Sequence, residues 1–241
     1  MTDILDDQMD LKIINFINMI NNKNNSNIPE PTYFTISTQS AMCCMSNATN
    51  LNLSLIVVHI AKNIITNIIL KQNPDSLIKG IVVDNLTLRF DESYLKKYKK
   101  PLIKYLGNVI DYKNINECLS MLSNIELLAN NSLKKHGRQK KKKDNEFFYN
   151  SCSIIVKADL ETKCVNIKLF NNGKITLTGS KKELDGYRSA VVLLDELKKD
   201  PLIFLDMEQH EIEKSKISNY RITMINSDFN TNFKIDLLKF L

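Results

Sequence analysis

The chain lacks tryptophan, and its 241 residues include only six glycines, five prolines and three histidines. With 43% apolar and 25% charged residues, that scarcity places it among globular chains with a real core, not among low-complexity ones. The five cysteines (Cys43, Cys44, Cys118, Cys152, Cys164) form no C-x-x-C pair and lie far in sequence from His59, His136 and His210. That spacing argues against a zinc site and for an intracellular, reducing compartment. Cys152 and Cys164 sit in strand-like runs, where a free thiol acts as a small hydrophobe. No secretory pattern opens the sequence. The most apolar run, Leu51 to Leu70, is interrupted by His59, Lys62, Asn63, Thr66 and Asn67, so it reads as a buried helix and gives no membrane contact. No paired-carboxylate motif, Cys/His dyad or phosphate-binding glycine loop is present, which argues against an enzyme and against a cofactor.

What is abundant is Asn, Ile and Lys, a bias that an AT-rich genome produces. The net charge is +6, but Lys134, Lys135, Arg138 and Lys140, Lys141, Lys142, Lys143 contribute seven positive charges, and the rest of the chain sums to −1. By composition this basic run is a solvated loop with a non-specific electrostatic role.

The most informative segment is Cys164 to Lys181. Val165, Ile167 and Leu169 alternate with Asn166, Lys168 and Phe170; Ile175 and Leu177 alternate with Thr176 and Thr178. Period-two alternation marks strands with one buried and one open face. Asn172-Gly173 between them signals a hairpin with a type I′ turn. Lys168, Phe170, Thr176 and Thr178 share the open face. Ser180 to Glu183 has capping-box spacing and opens a helix with an apolar stripe of Leu184, Tyr187, Val191, Leu194 and Leu197, stopped at Asp200-Pro201.

Elsewhere the pattern predicts a helix over 3–20, an Asn-rich linker over 21–31, a strand over 33–43 and a helix over 51–71. Residues 81–90 read as a strand, 93–106 and 113–130 as helices, and 147–157 as a strand with Cys152, Ile154 and Val156 on one face. The stretch 202–215 turns helical in its later part, and 220–229 is strand-like.

This order resembles one repeat of the TATA-box-binding protein family, and most of all the divergent members found in large nucleocytoplasmic DNA viruses. The residues that carry the resemblance are Phe170-Asn171-Asn172-Gly173-Lys174 with Thr178-Gly179, the element Ile36 to Thr38, and Met224 to Phe229. The last of these looks like the start of a second repeat. The resemblance implies an α+β fold: a curved antiparallel sheet, a half-saddle, with helices packed on one face and a largely helical insertion. The expected divisions are 1–31 (helix and linker), 32–200 (first repeat, interrupted at about 75–146) and 201–241 (connector and incomplete second repeat).

It further implies a DNA-binding transcription initiation factor, acting in the nucleus or a cytoplasmic viral factory of an infected cell. Its sheet would dock in the minor groove of A·T-rich promoter DNA, with Phe170 as the wedge and Thr178 meeting groove acceptors. Thr176, Ile36 and Thr38 would pack on the groove, and Lys157, Lys168 and Lys174 would lie near phosphates. The implied partners are double-stranded DNA and RNA polymerase or general transcription factors, with a homodimer expected if no second repeat exists. In family members the kinking aromatics come in pairs, and the partner position here falls on Ser151. The alternative is a protein-interaction module of the transcription machinery that keeps the fold without specific DNA binding.

Overall fold

The computed structural model describes residues 32–33, 35–134 and 150–230. The helix and linker expected before residue 32 and the basic residues Lys135 to Lys143 lie outside these. The chain divides into a unit of residues 36–226 and a second of residues 1–35 with 227–241. In the second, Thr35 Oγ1 donates to the Asp228 carbonyl (3.3 Å), and the Thr32 N–H to that of Asn230 (2.7 Å).

Nine strands form one antiparallel sheet: β1 (Thr35–Met45), β2 (Ile78–Val83), β3 (Leu86–Arg89), β4 (Leu102–Tyr105), β5 (Asn108–Val109), β6 (Ser151–Val156), β7 (Val165–Phe170), β8 (Lys174–Ser180) and β9 (Ile217–Asp228). Their spatial order is β5-β4-β3-β2-β6-β7-β8-β1-β9. The helices are α1 (Leu53–Asn63), α2 (Glu92–Tyr98), α3 (Ile115–Lys134), α4 (Glu183–Leu197) and α5 (Gln209–Lys214). The fold is α+β, as expected, and compatible with that of the family the sequence resembles.

Alternation positions the core. Ala41, Cys43 and Met45 of β1, Ile175 and Leu177 of β8, Val165, Ile167 and Leu169 of β7, and Cys152, Ile154 and Val156 of β6 are all buried. They join one apolar cluster with Ile56 and Ile60 of α1, Ile125 of α3 and Leu193 and Leu197 of α4. Each fully buried side chain of this size contributes about 1.5–3 kcal/mol. Asn52 caps α1, its side chain accepting the Leu55 N–H at 3.2 Å. The isoleucine-rich run Ile64–Ile69 continues α1 as π-helix.

Several sequence expectations change. The hairpin loop between β7 and β8 has three residues, and of these only Gly173 has positive φ (74°), so the turn is not type I′. A Cβ at Gly173 would run into the Ala48 carbonyl oxygen, so close approach as well as φ demands glycine. Ser180 does not cap α4. It is the last residue of β8, paired with Gln39, and Lys182 occupies the N-cap with no side-chain bond.

Of the expected stripe of α4, Leu194 and Leu197 are buried, but its first part faces elsewhere. Gly186, Ser189, Ala190 and Leu193 face inward, while Leu184 is 52% and Tyr187 38% exposed. Small residues win these positions because the helix is approached closely: a Cβ at Gly186 would collide with the Tyr220 hydroxyl. Tyr187 instead meets the Tyr220 ring edge-on, with centroids 5.6 Å apart.

Residues 81–90 are not one strand. Residues 78–89 make a hairpin, β2 and β3, turning at Asp84 (φ 30°). Residues 93–106 are not one helix. Lys99 ends α2 in the left-handed region (φ 57°), Pro101 bars continuation, and Ile103 and Tyr105 then alternate as a strand. Among its described residues, the segment between β2 and β6 thus adds the short strands β3, β4 and β5 to the helices α2 and α3.

Candidate nucleic-acid interface

The inner face of the sheet packs on α1, α3 and α4; the other face has the functional candidates. Pairing registers arrange its side chains in rows that cross the strands. One row runs Ser40, Thr178, Asn166, Ile155, and a second Met42, Thr176, Lys168, Ser153. A third joins Cys44 to Lys174, and across β7 and β6 joins Phe170 to Ser151. Neighbours within a row are about 4.8 Å apart, and rows about 7 Å. At one end the bulge at Gly179 (φ 96°) shifts the β1–β8 register between Gln39 and Ser40.

The structure brings Phe170, Lys168, Thr176, Thr178 and Lys174 together on this face, with Thr38 and Ile36 (41% exposed) on the same side of β1. The Lys168 ammonium sits 5.4 Å from the centroid of the Phe170 ring. β9 adds Arg221, Thr223 and Ile225 by alternation, because Tyr220 faces α4, where its hydroxyl donates to the Glu183 carbonyl at 3.1 Å. The Thr223 hydroxyl donates to the Ser40 carbonyl (3.2 Å), which ties β9 to β1.

Lys157 departs from the expectation of a phosphate contact. It continues the open-face alternation of β6, but its side chain is 6% exposed and its ammonium is bound to Glu92 (2.9 Å) and to the Leu160 carbonyl (2.9 Å). The cause is α2, which packs back over this corner. Arg89, also of open-face alternation, pairs with Asp91 at 2.7 Å, and its guanidinium lies 4.4 Å from the Tyr94 ring centroid. Burial pushes the Asp91 carboxyl up, but bonds from Ser93, Arg89 and the Tyr94 N–H outweigh that and hold it below its ordinary range. Lys79 is lowered, by burial and by the charge of Lys157. Lys134 is the last residue of α3, and the other members of the basic run lie outside the described residues.

Sequence reasoning placed Asn166 and Ser153 on the open side without making them site candidates, and missed Ser40, Met42 and the β9 residues as members of the face. Alternation alone marks Asn166 and Ser153; Ser40, Met42 and β9 needed the β1–β8 and β1–β9 pairings. The combined surface has a property visible only in aggregate. Among the described open-face positions of β1, β6, β7, β8 and of β9 as far as Ile225, no carboxylate occurs. The acids gather on the helices, with Glu183, Asp185, Asp195 and Glu196 on α4 alone. Such segregation presents a polyanion with cations, hydroxyls and one large ring.

The described residues include no group of three or more His, Cys, Asp or Glu placed to hold a metal ion, and no helix long and apolar enough to cross a membrane. All five cysteines are free, and burial pushes the Cys152 thiol up to about 12.

Fold and face together define an α+β protein whose sheet packs on helices with one side and, apart from the corner where Glu92 of α2 holds Lys157, leaves the strands β1, β6, β7, β8 and β9 free of carboxylates on the other. Over 109 residues the chain is 32% identical to a protein of Acanthamoeba polyphaga mimivirus described as TATA-box-binding protein-like. The match covers 42% of this chain and 29% of that protein, so the chain spans less than a third of the length of the curated relative it matches. This likeness supports a divergent TATA-box-binding-protein-like chain. No family model matches the sequence, and no solved structure does.

Proposed function

We propose that the protein is a non-enzymatic, DNA-binding transcription factor that lays its bare sheet face in the minor groove of A·T-rich promoter duplex. The observation that carries this reading is the carboxylate-free face with Phe170 beside Lys168. Phe170 is the wedge: its insertion at a base step costs a few kcal/mol of unstacking, offset by the surface that bent DNA can then wrap. Thr178, Thr176 and Ser40 carry hydroxyls that meet minor-groove acceptors, a pattern that separates A·T from G·C pairs. Lys168, Lys174 and Arg221 neutralise phosphates, which makes affinity fall with salt. Lys157 is not part of this footprint, because Glu92 holds it. The acidic helix side is left for RNA polymerase or general transcription factors.

A second reading has a specific observation in its favour. Ser151 stands across from Phe170 where an aromatic partner would complete a wedge, and a face without that partner fits a protein-interaction module. Titrating an A·T-rich duplex at several salt concentrations separates the two. The expected result is that Phe170→Ala and Thr178→Ala each weaken binding and reduce the preference for A·T over G·C duplex. Deleting residues 134–143 should lower affinity for both duplexes alike. If only that deletion matters, the minor-groove reading fails and the interaction module stands.

A further inference from the structure

The open face does not stop at β2. The second row continues in register from Lys168 and Ser153 to Val82 of β2, Thr87 of β3, Lys104 of β4 and Val109 of β5. Four strand spacings separate Lys168 from Lys104, about 19 Å, or the rise of five to six base pairs. No carboxylate interrupts this extension of the row. On one side of it Ile155 of the first row is only 3% exposed, and beyond that row Lys157 is held by Glu92 of α2. Val82 and Thr87 are half-buried and Lys104 is exposed. The extension is therefore a floor with a bank beside it.

That bank and the far edge are basic. Residues 92–113 contain Lys96, Lys97, Lys99, Lys100, Lys104 and Lys113 against only Glu92 and Asp111. None of the six lysines holds an ion pair among the described residues, and Glu92 is already committed to Lys157. Lys99, Lys100 and Lys113 line a cleft of about 470 Å³ with Tyr112 and Asp111. In sequence this group of cations is distinct from the basic run at residues 134–143.

We propose that β3, β4, β5 and α2 form a second phosphate-binding subsite of the same duplex-binding face, so that DNA contact runs beyond β2 to the far edge of the sheet. The inference rests on the minor-groove reading above. A duplex is a rod, and the long dimension of the carboxylate-free surface lies across the strands, from β9 toward β5. Charge complementarity and length both select DNA running along the rows, with Lys104, Lys99, Lys100 and Lys113 meeting phosphates several base pairs from the Phe170 wedge.

The test compares the full chain with a Lys99→Gln, Lys100→Gln, Lys104→Gln, Lys113→Gln variant on A·T-rich hairpin duplexes of about 8 and about 20 base pairs. Each lost phosphate contact lowers the slope of log K against log salt by about 0.9. The expected result is a slope reduced by about two to four on the long duplex and unchanged on the short one. The corresponding four Lys→Arg changes should keep the parent slope, which separates lost charge from lost folding. Parent-like binding of the Gln variant to the long duplex overturns the subsite and leaves the minor-groove reading intact. If Phe170→Ala changes nothing while the Gln variant loses all binding, the patch is an independent polyanion site, and both the shared face and the minor-groove reading are wrong.

Discussion

Ser151 lies directly across the β6–β7 ladder from Phe170, so the large ring of this face has a hydroxymethyl group for its opposite neighbour. Phe170 is half-buried, and the Lys168 ammonium of its own strand lies 5.4 Å from its ring centroid. Phe170→Ala should therefore cost the fold about 1 kcal/mol or less, while costing duplex affinity tenfold or more. Thermal melts and duplex titration of the same preparation check both halves. A large loss of stability with unchanged affinity would assign Phe170 to the core.

Gly186 and Tyr220 make a second testable pair. Alanine is ordinarily favoured over glycine inside a helix by about 1 kcal/mol. Here the added methyl would strike the Tyr220 hydroxyl, so Gly186→Ala should destabilise. Removing the hydroxyl with Tyr220→Phe leaves the ring carbon 3.5 Å from the new Cβ, ordinary contact. In that background the tight neighbour that remains is the Ser180 hydroxyl at 3.3 Å, so Gly186→Ala should cost markedly less than in the parent. Denaturant melts of the four proteins in the cycle read this directly, and additive effects would show that β9 does not press on α4 there.

Glu196 links α4 to α1. Burial pushes its carboxyl up, but bonds from His59 (3.0 Å) and Lys199 (2.6 Å) outweigh that and hold it at about 2, against an ordinary 4.5. A depressed folded-state value means the folded state favours the ionised form. Its contribution is therefore complete above about pH 4.5 and drains away as pH falls toward 2. Allowing for solvent screening, about 1–2 kcal/mol is at stake. Glu196→Gln should lower stability at pH 7 and flatten the acid limb of a stability profile. An unchanged limb would show that this carboxylate is not what acid removes.

Leu88 of β3 is fully buried in the cluster that also holds Ile154 and Leu177. Leu88→Ala should thus cost about 2–5 kcal/mol and shift a single unfolding transition. An early, separate transition would instead mark β3, β4 and β5 as an appendage that melts alone.

Much of the site was legible before the structure. The strands of the β7–β8 hairpin, their inward and outward residues and the clustering of Lys168, Phe170, Thr176 and Thr178 all follow from period-two alternation, which is a local property. Lys157 was misplaced because alternation gives a side, not a neighbour: α2, whose contact with β6 spans 65 positions, supplies Glu92. Lys104 was missed because residues 93–106 have enough apolar character for a helix, and only Lys99 and Pro101 break it.

The sequence by itself determined that β1, β6, β7, β8 and β9 extend, that α1 and α4 coil, where the β7–β8 turn falls and where α4 stops, since alternation, Gly173 and Asp200-Pro201 act within a few residues. Tertiary structure alone decided that β2 lies beside β6, that β9 pairs with β1, and that α4 turns small residues inward. Strand order rests on hydrogen bonds between distant segments, and a helix buries whichever face lets its neighbours come closest. The carboxylate-free surface is the product of both. Its composition is written strand by strand, but it becomes a surface only when the ladders of the sheet bring those strands side by side.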